Sequence, residues 1–393
     1  MTITDYTTKH KIMITCATGL GAWLRQEVEA LGYRTTAERD TGIEMDATWP
    51  DIMRLNLELR TGFCILLLLK EFRCTHPDQL YKTLLSISWE DIIPKDGYIS
   101  VICRCDTPTI KNTMFANQKI KDGIVDRMVQ QTGERPDSGS SRDKIVINVY
   151  WYGDKCWVYL NTTGVKMSDR GYRKLPHTAP VQESLGAALL LAAGYTGECP
   201  LISPMCGSGT FAIEAALIAQ NRAPGLLRSN YAFMHLKGFD DDFWQKMRAE
   251  TRKRAKKELK FPIIATDIDP KAVEAAQKNA QTAGVDQLIE FGVCDFADTK
   301  IPEQAGIIIL NPAYGERLGE KKELEVTYKR IGDFFKQKCS GYNGYIFTGN
   351  LDLAKQIGLR TSRKFIFFNA DIECRLLKYE LYKGTKENYQ AEG

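Results

Sequence analysis

The spacing of apolar positions over the first 165 residues predicts two small α+β units. The first unit has a strand at 11–17, a helix at 19–31 and a strand at 43–47. The second has helices at 50–60, 77–87 and 114–131 and strands at 63–72, 98–105, 144–152 and 155–161. A Gly-Asp pair separates the last two strands and predicts a tight hairpin turn.

Periodicity is lost between residues 162 and 180, where TTGVKMSDRGYRKLPHTAP contains several helix and strand breakers. Short apolar strands then alternate with helices: strands at 201–205, 263–267, 288–293, 307–310 and 345–348, and helices at 210–220, 271–283 and 324–338. Strands that are apolar on both faces and alternate with helices are typical of a parallel sheet covered by helices. Two longer strands at 364–370 and 372–382 predict an antiparallel hairpin at the edge of that sheet.

Size and composition place the chain among globular proteins of two or three domains. It has 393 residues, of which 44% are hydrophobic and 26% charged. No unbroken apolar run is longer than that at 63–69, which is far shorter than the roughly 20 residues that a membrane helix needs. The start MTITDYTTKHK has no apolar signal core, so we expect a cytoplasmic protein without membrane contact.

Overall charge does not identify a partner, because 53 basic residues stand against 49 acidic ones. Locally, the segment 246–260 has eight basic and two acidic residues. This pattern is equally consistent with a surface that contacts nucleic acid and with a helix face exposed to solvent. The connector residues Arg170, Tyr172, Arg173 and Lys174 suit base stacking and phosphate binding, or anchoring of the two domains. Eleven cysteines without a CxxC pair and four scattered histidines predict no metal site.

In a helix-covered parallel sheet, the ligand lies beyond the carboxyl ends of the strands, so the junctions after the strands hold the candidate residues. The first junction is SPMCGSG at 203–209. Its glycines allow a tight turn and close approach to a ligand, and the amides of the following helix favour negative charge. An ordinary strand-to-helix turn is the alternative. Candidate cofactor-binding residues here are Ser203, Pro204, Cys206, Gly207, Gly209 and Thr210.

The next two junctions each place an acidic residue after a strand. Asp267, followed by Ile268, is positioned to accept hydrogen bonds from the hydroxyls of a ribose. Asp269 precedes Pro270, which favours a helix cap instead. In the third junction Asp295 can accept from an adenine amine while Phe296 packs on the ring. Glycines and two acids after successive strands predict a ligand that contains adenosine.

The fourth junction, NPAYGERL at 311–318, selects among adenosine ligands. Asn311 offers an amide oxygen, Pro312 a carbonyl oxygen, and Tyr314 a ring on which a flipped base can stack. Two acceptors that hold the hydrogens of an exocyclic amine direct its lone pair at an electrophile. The three residues are our candidate catalytic residues, with a methyl sulfonium as the matching electrophile.

At this point the sequence resembles the THUMP-domain class I RNA methyltransferases. In particular, it is similar to the amino-terminal half of the bacterial enzymes that methylate guanine N2 in 23S ribosomal RNA. The resemblance runs over nearly the whole chain and includes CATGLGAWLRQEVEALG, NQKIKDGIVD, DRGYRK, APVQESLGAALLLAAGY, PMCGSGTFAIEAALIA with NRAPGL, the NPxYGERL box and FNADIECRLLKYEL.

The resemblance implies a ferredoxin-like unit at 1–51, a THUMP RNA-binding domain at 52–165, a linker at 166–179 and a Rossmann-like α/β methyltransferase domain at 180–393. It further implies S-adenosyl-L-methionine as the cofactor and RNA, above all large-subunit ribosomal RNA, as the partner. In the family's pattern, Gly207 and Gly209 border the methionine part of the cofactor, Asp267 its ribose and Asp295 its adenine. Asn311, Pro312 and Tyr314 receive guanine.

Two positions depart from the pattern, since the family usually has Asp at Ser203 and Pro at Ala313. Ser203 removes a carboxylate near the cofactor's amino group, and Ala313 removes a φ restraint from the catalytic turn. The departures leave open a descendant that binds RNA without transferring methyl. Boxes of this type also serve enzymes that act on tRNA guanine, DNA adenine or protein glutamine, although an RNA-binding amino-terminal half argues against the last two.

Overall fold

The structure, a computed structural model, describes residues 5–109, 112–175, 180–314 and 321–382. The chain divides into two compact units. The first comprises Met1–Cys16, Leu24–Asp169 and Arg228–Glu250, and the second comprises Ala17–Trp23, Arg170–Leu227 and Thr251–Gly393.

The amino-terminal elements follow the predicted order closely. They are β1 (His10–Cys16), α1 (Gly21–Ala30), β2 (Ala37–Arg39), β3 (Gly42–Ala47), α2 (Trp49–Glu58), β4 (Gly62–Arg73), α3 (Pro77–Leu85), β5 (Tyr98–Asp106), α4 (Thr113–Thr132), β6 (Asp137–Ser138), β7 (Ile145–Tyr152) and β8 (Lys155–Asn161). Thr48 and Asp51 form a capping box that starts α2, and Gly153 supplies the positive φ of the β7–β8 turn.

The strands of the first unit form one sheet in the order β2-β3-β1-β4-β8-β7-β5-β6. Strand β4 joins its two halves, because Gly62–Leu67 pair with β1 and Leu66–Arg73 pair with β8. The predicted domain boundary between residues 51 and 52 falls within helix α2. The two amino-terminal domains share a continuous sheet, so no break in periodicity marks the passage from one to the other.

The remaining elements are α5 (Glu183–Ala192), β9 (Leu201–Pro204), α6 (Thr210–Ala219), α7 (Asp241–Lys253), β10 (Ile263–Asp267), α8 (Pro270–Ala283), β11 (Glu290–Val293), β12 (Ile307–Leu310), α9 (Lys321–Lys338), β13 (Asn343–Thr348), α10 (Leu351–Lys355), β14 (Arg363–Asn369) and β15 (Ile372–Glu380). Their strands form a second sheet in the order β11-β10-β9-β12-β13-β15-β14. The first five strands are parallel, and β15 is antiparallel to β13 and β14. This confirms the parallel sheet with an antiparallel edge hairpin.

The segment Arg228–Glu250 belongs to the first unit although it lies, along the chain, inside the second. Tyr231, Phe233 and Trp244 are fully buried and form an aromatic cluster. The backbone N–H of Phe233 donates to the carbonyl of Thr162, and the Tyr231 hydroxyl donates to the carbonyl of Asn56. A division of the chain at a single linker therefore misses this insertion.

Within the described ranges, no helix is long and apolar enough to cross a membrane. The described residues also contain no group of three or more His, Cys, Asp or Glu side chains that could hold a metal ion.

Candidate active site

The loop at 205–209, between β9 and α6, is tightly wound, and we call it the glycine loop. Met205, Gly207 and Gly209 all have positive φ, at 68°, 53° and 87°. The N–H of Gly209 donates to the carbonyl of Cys206, and the N–H of Cys206 donates to Thr266 on β10, both at 2.9 Å. A positive φ is unusual for methionine and marks a backbone held by its surroundings.

The two loop glycines serve different purposes. A Cβ built on Gly207 would meet no atom within 4 Å, so the backbone there is open on the side of a possible ligand. A Cβ on Gly209 would lie 2.9 Å from the Cβ of Ala276 on α8, so the loop packs against that helix only with glycine. The loop combines an open backbone at one glycine with close packing at the other.

Asp267, at the end of β10, is joined to this loop. Its Oδ2 accepts the N–H of Gly207 at 2.9 Å, and its Oδ1 accepts the N–H of Asp269 at 3.0 Å. The carboxylate is therefore fixed, with further lone pairs for a ligand. Ile268, beside it, is 70% exposed. Asp269 caps α8 by accepting from the N–H of Lys271, as predicted.

Asp295 and Phe296 follow β11, but their surroundings differ from the prediction. Asp295 accepts from the N–H of Ala297 and from Arg330, both at 2.9 Å. Burial raises the pKa of Asp295, but these two hydrogen bonds and the Arg330 charge outweigh it, so the pKa lies below its ordinary value. Phe296 is 5% exposed and packs edge-on against Phe334 in the core. Most of the Phe296 ring is therefore enclosed by the protein, whereas Ile268, after the neighbouring strand β10, is an exposed apolar side chain.

Asn311, directly after β12, has an unusual environment. Its Oδ1 is buried and has no hydrogen-bond partner among the described residues. A buried acceptor without a partner costs about 1–3 kcal/mol, and such atoms call for an explanation, such as a ligand that supplies the missing donor. Pro312 is buried and Ala313 is exposed. The side-chain amide of Asn311 therefore lies at the end of β12 with an oxygen that can accept a hydrogen bond from a ligand.

Tyr314 is held in place by groups that the sequence analysis missed. Its hydroxyl accepts from Asn369 at 3.0 Å and from the Cys374 thiol at 3.9 Å, both on the edge hairpin. Burial raises the pKa of Tyr314, so the phenol stays protonated. A Cβ on Gly349 would lie 3.1 Å from the ring, so a larger residue there would press on Tyr314. The remaining motif residues, 315–318, lie outside the described residues.

Several predicted cofactor-binding side chains are buried rather than presented to a ligand. Ser203, Pro204, Cys206 and Thr210 all fall in this class. Burial raises the pKa of the Cys206 thiol, which removes it as a nucleophile at neutral pH. These four residues shape the loop, whereas Gly207, Asp267, Ile268, Asp295 and Asn311 keep accessible surface.

The connector does not present Arg170 and Tyr172 to RNA. Both are 1% exposed. Arg170 forms a two-pronged ion pair with Glu214, at 2.7 and 3.0 Å, and the Tyr172 hydroxyl donates to the same carboxylate. The interpretation as stacking and phosphate-binding residues is wrong for these two. Residues 170–175 pack within the second unit, which therefore begins before the predicted position 180.

The basic segment 246–260 is helical only as far as Lys253, where α7 ends. Arg248 lies over the ring of Trp244 at 5.5 Å, and Lys256 pairs with Glu198 at 3.3 Å. The other basic side chains are exposed: Lys246, Arg252, Lys253, Arg254, Lys257 and Lys260. The helix-face interpretation therefore covers only part of the segment, and most of its charge is available to a partner.

The sheet order brings the four junctions together. Strands β11, β10, β9 and β12 are consecutive neighbours and parallel, so their carboxyl ends form one edge. The acceptors Asp267 and Asp295, the open glycine loop and Asn311 lie along it. This arrangement fits an adenosine ligand that meets an amine-bearing substrate at β12.

Comparison with known domains gives three matches. Residues 11–66 match the RlmL ferredoxin-like domain, 74–161 the THUMP domain and 170–378 the RMKL-like methyltransferase domain. A putative RNA methyltransferase of Synechocystis sp. is 33% identical over 94% of this chain and 96% of its own length. The ribosomal RNA large subunit methyltransferase K/L of Syntrophotalea carbinolica is 34% identical over 94% of this chain, which spans 53% of that protein.

Among solved structures, the putative methyltransferase SMU.472 in complex with SAH superposes with a TM-score of 0.87, at 26% identity over 96% of this chain and 99% of that one. These matches confirm the predicted order of domains along the chain: ferredoxin-like, THUMP and class I methyltransferase. The cofactor of this class of domain is S-adenosylmethionine, as expected.

Proposed function

The chain belongs to the family of RMKL-like methyltransferases with a THUMP domain, and from this membership we propose that it methylates N2 of a guanine in large-subunit ribosomal RNA. The observation that carries the proposal is the buried, unpartnered Oδ1 of Asn311 at the end of β12, among the residues that the structure describes.

The residues after β9 and β10 suit the cofactor. The loop backbone is open at Gly207, where an added Cβ would meet no neighbour, and Asp267 is held rigidly beside it. Asp267 would hold the ribose hydroxyls, Asp295 would accept the adenine amine, and Ile268 would pack on the ring. When bound, S-adenosylmethionine supplies an electrophilic methyl group.

The residues after β12 suit the guanine amine. Its lone pair is delocalised into the ring, so the free amine is a weak nucleophile. The Oδ1 of Asn311 and the carbonyl of Pro312 would each accept one N2 hydrogen, which favours a pyramidal nitrogen and aims its lone pair outward. Tyr314, fixed by Asn369, would stack on the flipped base. These residues orient the amine and need not change protonation state.

RNA as the substrate is supported by two features of the chain. A THUMP domain occupies 74–161, and the segment 252–260 of the second unit carries exposed cations that suit phosphates. Ribosomal RNA of the large subunit is favoured over tRNA by the names of the similar K/L proteins. This chain spans about half the length of those relatives.

A direct experiment offers the full chain two substrates, unmodified 23S ribosomal RNA and unmodified tRNA, with labelled S-adenosylmethionine. Nuclease digestion and mass spectrometry then identify the methylated nucleoside. The proposal expects N2-methylguanosine in the ribosomal RNA. The same product in tRNA alone would move the substrate to tRNA. Tight cofactor binding without incorporation into either RNA would favour a binding-only protein, which Ala313 in the catalytic turn makes the second candidate.

A further inference from the structure

A cluster of hydrogen bonds joins the connector to the glycine loop inside the second unit. The guanidinium of Arg173 donates to the Ser208 hydroxyl at 3.0 Å and to the Thr210 hydroxyl at 3.1 Å. It also donates to the carbonyl of Val181 at 2.7 Å and to Glu183 at 3.1 Å. One side chain therefore binds the loop, the start of α6 and the start of α5.

Asn279 on α8 forms the second half of this cluster. Its Nδ2 donates to the carbonyl of Ser208 at 3.1 Å and to that of Leu175 at 3.0 Å. Its Oδ1 accepts from the N–H groups of Lys174 and Leu175, at 2.9 and 3.1 Å. Asn279 is completely buried. Ser208 is therefore bound by two polar side chains: Arg173 of the connector, and Asn279, which also binds the connector backbone.

The position of Ser208 gives these contacts their importance. It lies between Gly207 and Gly209, which have wide backbone freedom and would otherwise leave the loop in many conformations. Ser208 itself is 5% exposed, so its side chain faces the protein and not a ligand. Arg173 holds its hydroxyl and Asn279 holds its carbonyl, and the open backbone of Gly207 is fixed as a consequence.

We propose that Arg173 and Asn279 are positioning residues that hold the glycine loop in its cofactor-binding conformation. Neither side chain contacts the cofactor in this role; they reduce the conformational entropy that binding would otherwise cost. The proposal rests on the function proposed above, since it takes this loop as the cofactor site. It makes the connector part of the cofactor site rather than a passive link between domains.

The test measures the affinity of the full-length protein for S-adenosylhomocysteine by calorimetry. The variants are Arg173→Gln, Ser208→Ala and the double variant, with Arg173→Lys to keep the charge without the forked donors of the guanidinium. We expect Arg173→Gln to weaken binding at least about fivefold, the factor that corresponds to roughly 1 kcal/mol. The double variant should bind no more weakly than Arg173→Gln, because both changes break the same contact.

A matched control is Arg222→Gln, since Arg222 is another arginine of the same unit and donates to the carbonyl of Gly284. Its affinity should equal that of the natural protein. Hydrogen exchange of the uncomplexed protein gives an independent readout: the amides of residues 207–209 should exchange faster in Arg173→Gln and not in Arg222→Gln.

Two results would overturn the inference while the natural protein binds S-adenosylhomocysteine. One is unchanged affinity in folded Arg173→Gln and Arg173→Lys. The other is additive losses from Arg173→Gln and Ser208→Ala. If the natural protein itself does not bind, the proposed function fails, and this inference fails with it.

Discussion

At the level of single residues, the proposed chemistry depends on Asn311 and its neighbours. The Oδ1 of Asn311 is buried without a partner in the described structure, whereas Asp267 and Tyr314 are each held by two hydrogen bonds. Natural proteins tolerate the cost of an unsatisfied acceptor where a ligand uses it. The contrast between these held groups and the open acceptor of Asn311 is the basis for proposing Asn311 as the residue that binds the amine.

Ala313 lies in the turn between Pro312 and Tyr314, where the similar enzymes usually have proline. No hydrogen bond from its N–H occurs among the described residues, so proline at 313 would remove no contact seen there. We expect Ala313→Pro to methylate RNA at least as fast as the natural protein, because a stiffer turn loses less entropy when guanine binds. Initial rates at saturating cofactor measure this. A loss of about tenfold or more, with unchanged cofactor affinity, would show that the turn needs a φ that proline rejects.

At the level of secondary structure, the candidate site lies at the carboxyl ends of neighbouring parallel strands. Parallel neighbours β11, β10, β9 and β12 place four separate stretches of sequence along one edge. Between β9 and β10 the connection is direct, because Asp267 accepts from the N–H of Gly207. The glycine loop is therefore shaped by the next strand in the sheet as well as by its own sequence.

A pair of aspartates tests this connection. Asp267→Ala removes the acceptor of Gly207 N–H and the proposed ribose partner, so we expect affinity for S-adenosylhomocysteine to fall at least about tenfold. Asp269→Ala, two residues away, removes the cap of α8 and should cost about 1 kcal/mol of stability with affinity retained. Calorimetry and thermal unfolding of both variants separate the effects. Equal affinities would contradict the assignment of Asp267.

Local sequence predicted most elements, because periodicity and turn residues act over a few positions. The β7–β8 hairpin, the edge hairpin and the Asp269 cap all depend on such local features. Contacts that are distant in sequence were missed: Tyr314 with Asn369, Arg170 with Glu214, and the insertion 228–250 with the first unit. The burial of Phe296 was missed for the same reason, since it depends on contact with Phe334 of α9.

The whole molecule combines a THUMP domain with a methyltransferase domain. The first unit contains the THUMP match, and the second contains the sheet edge with Asn311. Because Arg228–Glu250 packs in the first unit, a fragment that begins near residue 180 would expose Tyr231, Phe233 and Trp244. Substitutions in the full chain are therefore the cleaner way to assign RNA contacts.

The exposed basic residues at 252–260 in the second unit are the proposed RNA contacts. Replacing Arg252, Lys253, Lys257 and Lys260 with glutamine should weaken RNA binding and lower the slope of log K against log salt by about 0.7–0.9 for each lost phosphate contact. Affinity for S-adenosylhomocysteine should not change. Lys278→Gln, which removes a cation already paired with Glu274, is the matched control. An unchanged salt slope would exclude this segment as an RNA contact.

The proposed role of Asn311 is to present the guanine amine for methylation. Methyl incorporation into unmodified large-subunit RNA by the natural protein and by Asn311→Ala, with cofactor affinity measured in parallel, tests this role. We expect N2-methylguanosine from the natural protein and a loss of about a hundredfold or more in Asn311→Ala, comparable to the removal of one oriented catalytic hydrogen-bonding group, with cofactor affinity intact. Equal incorporation by both proteins, or methyl on another atom of the base, would contradict it.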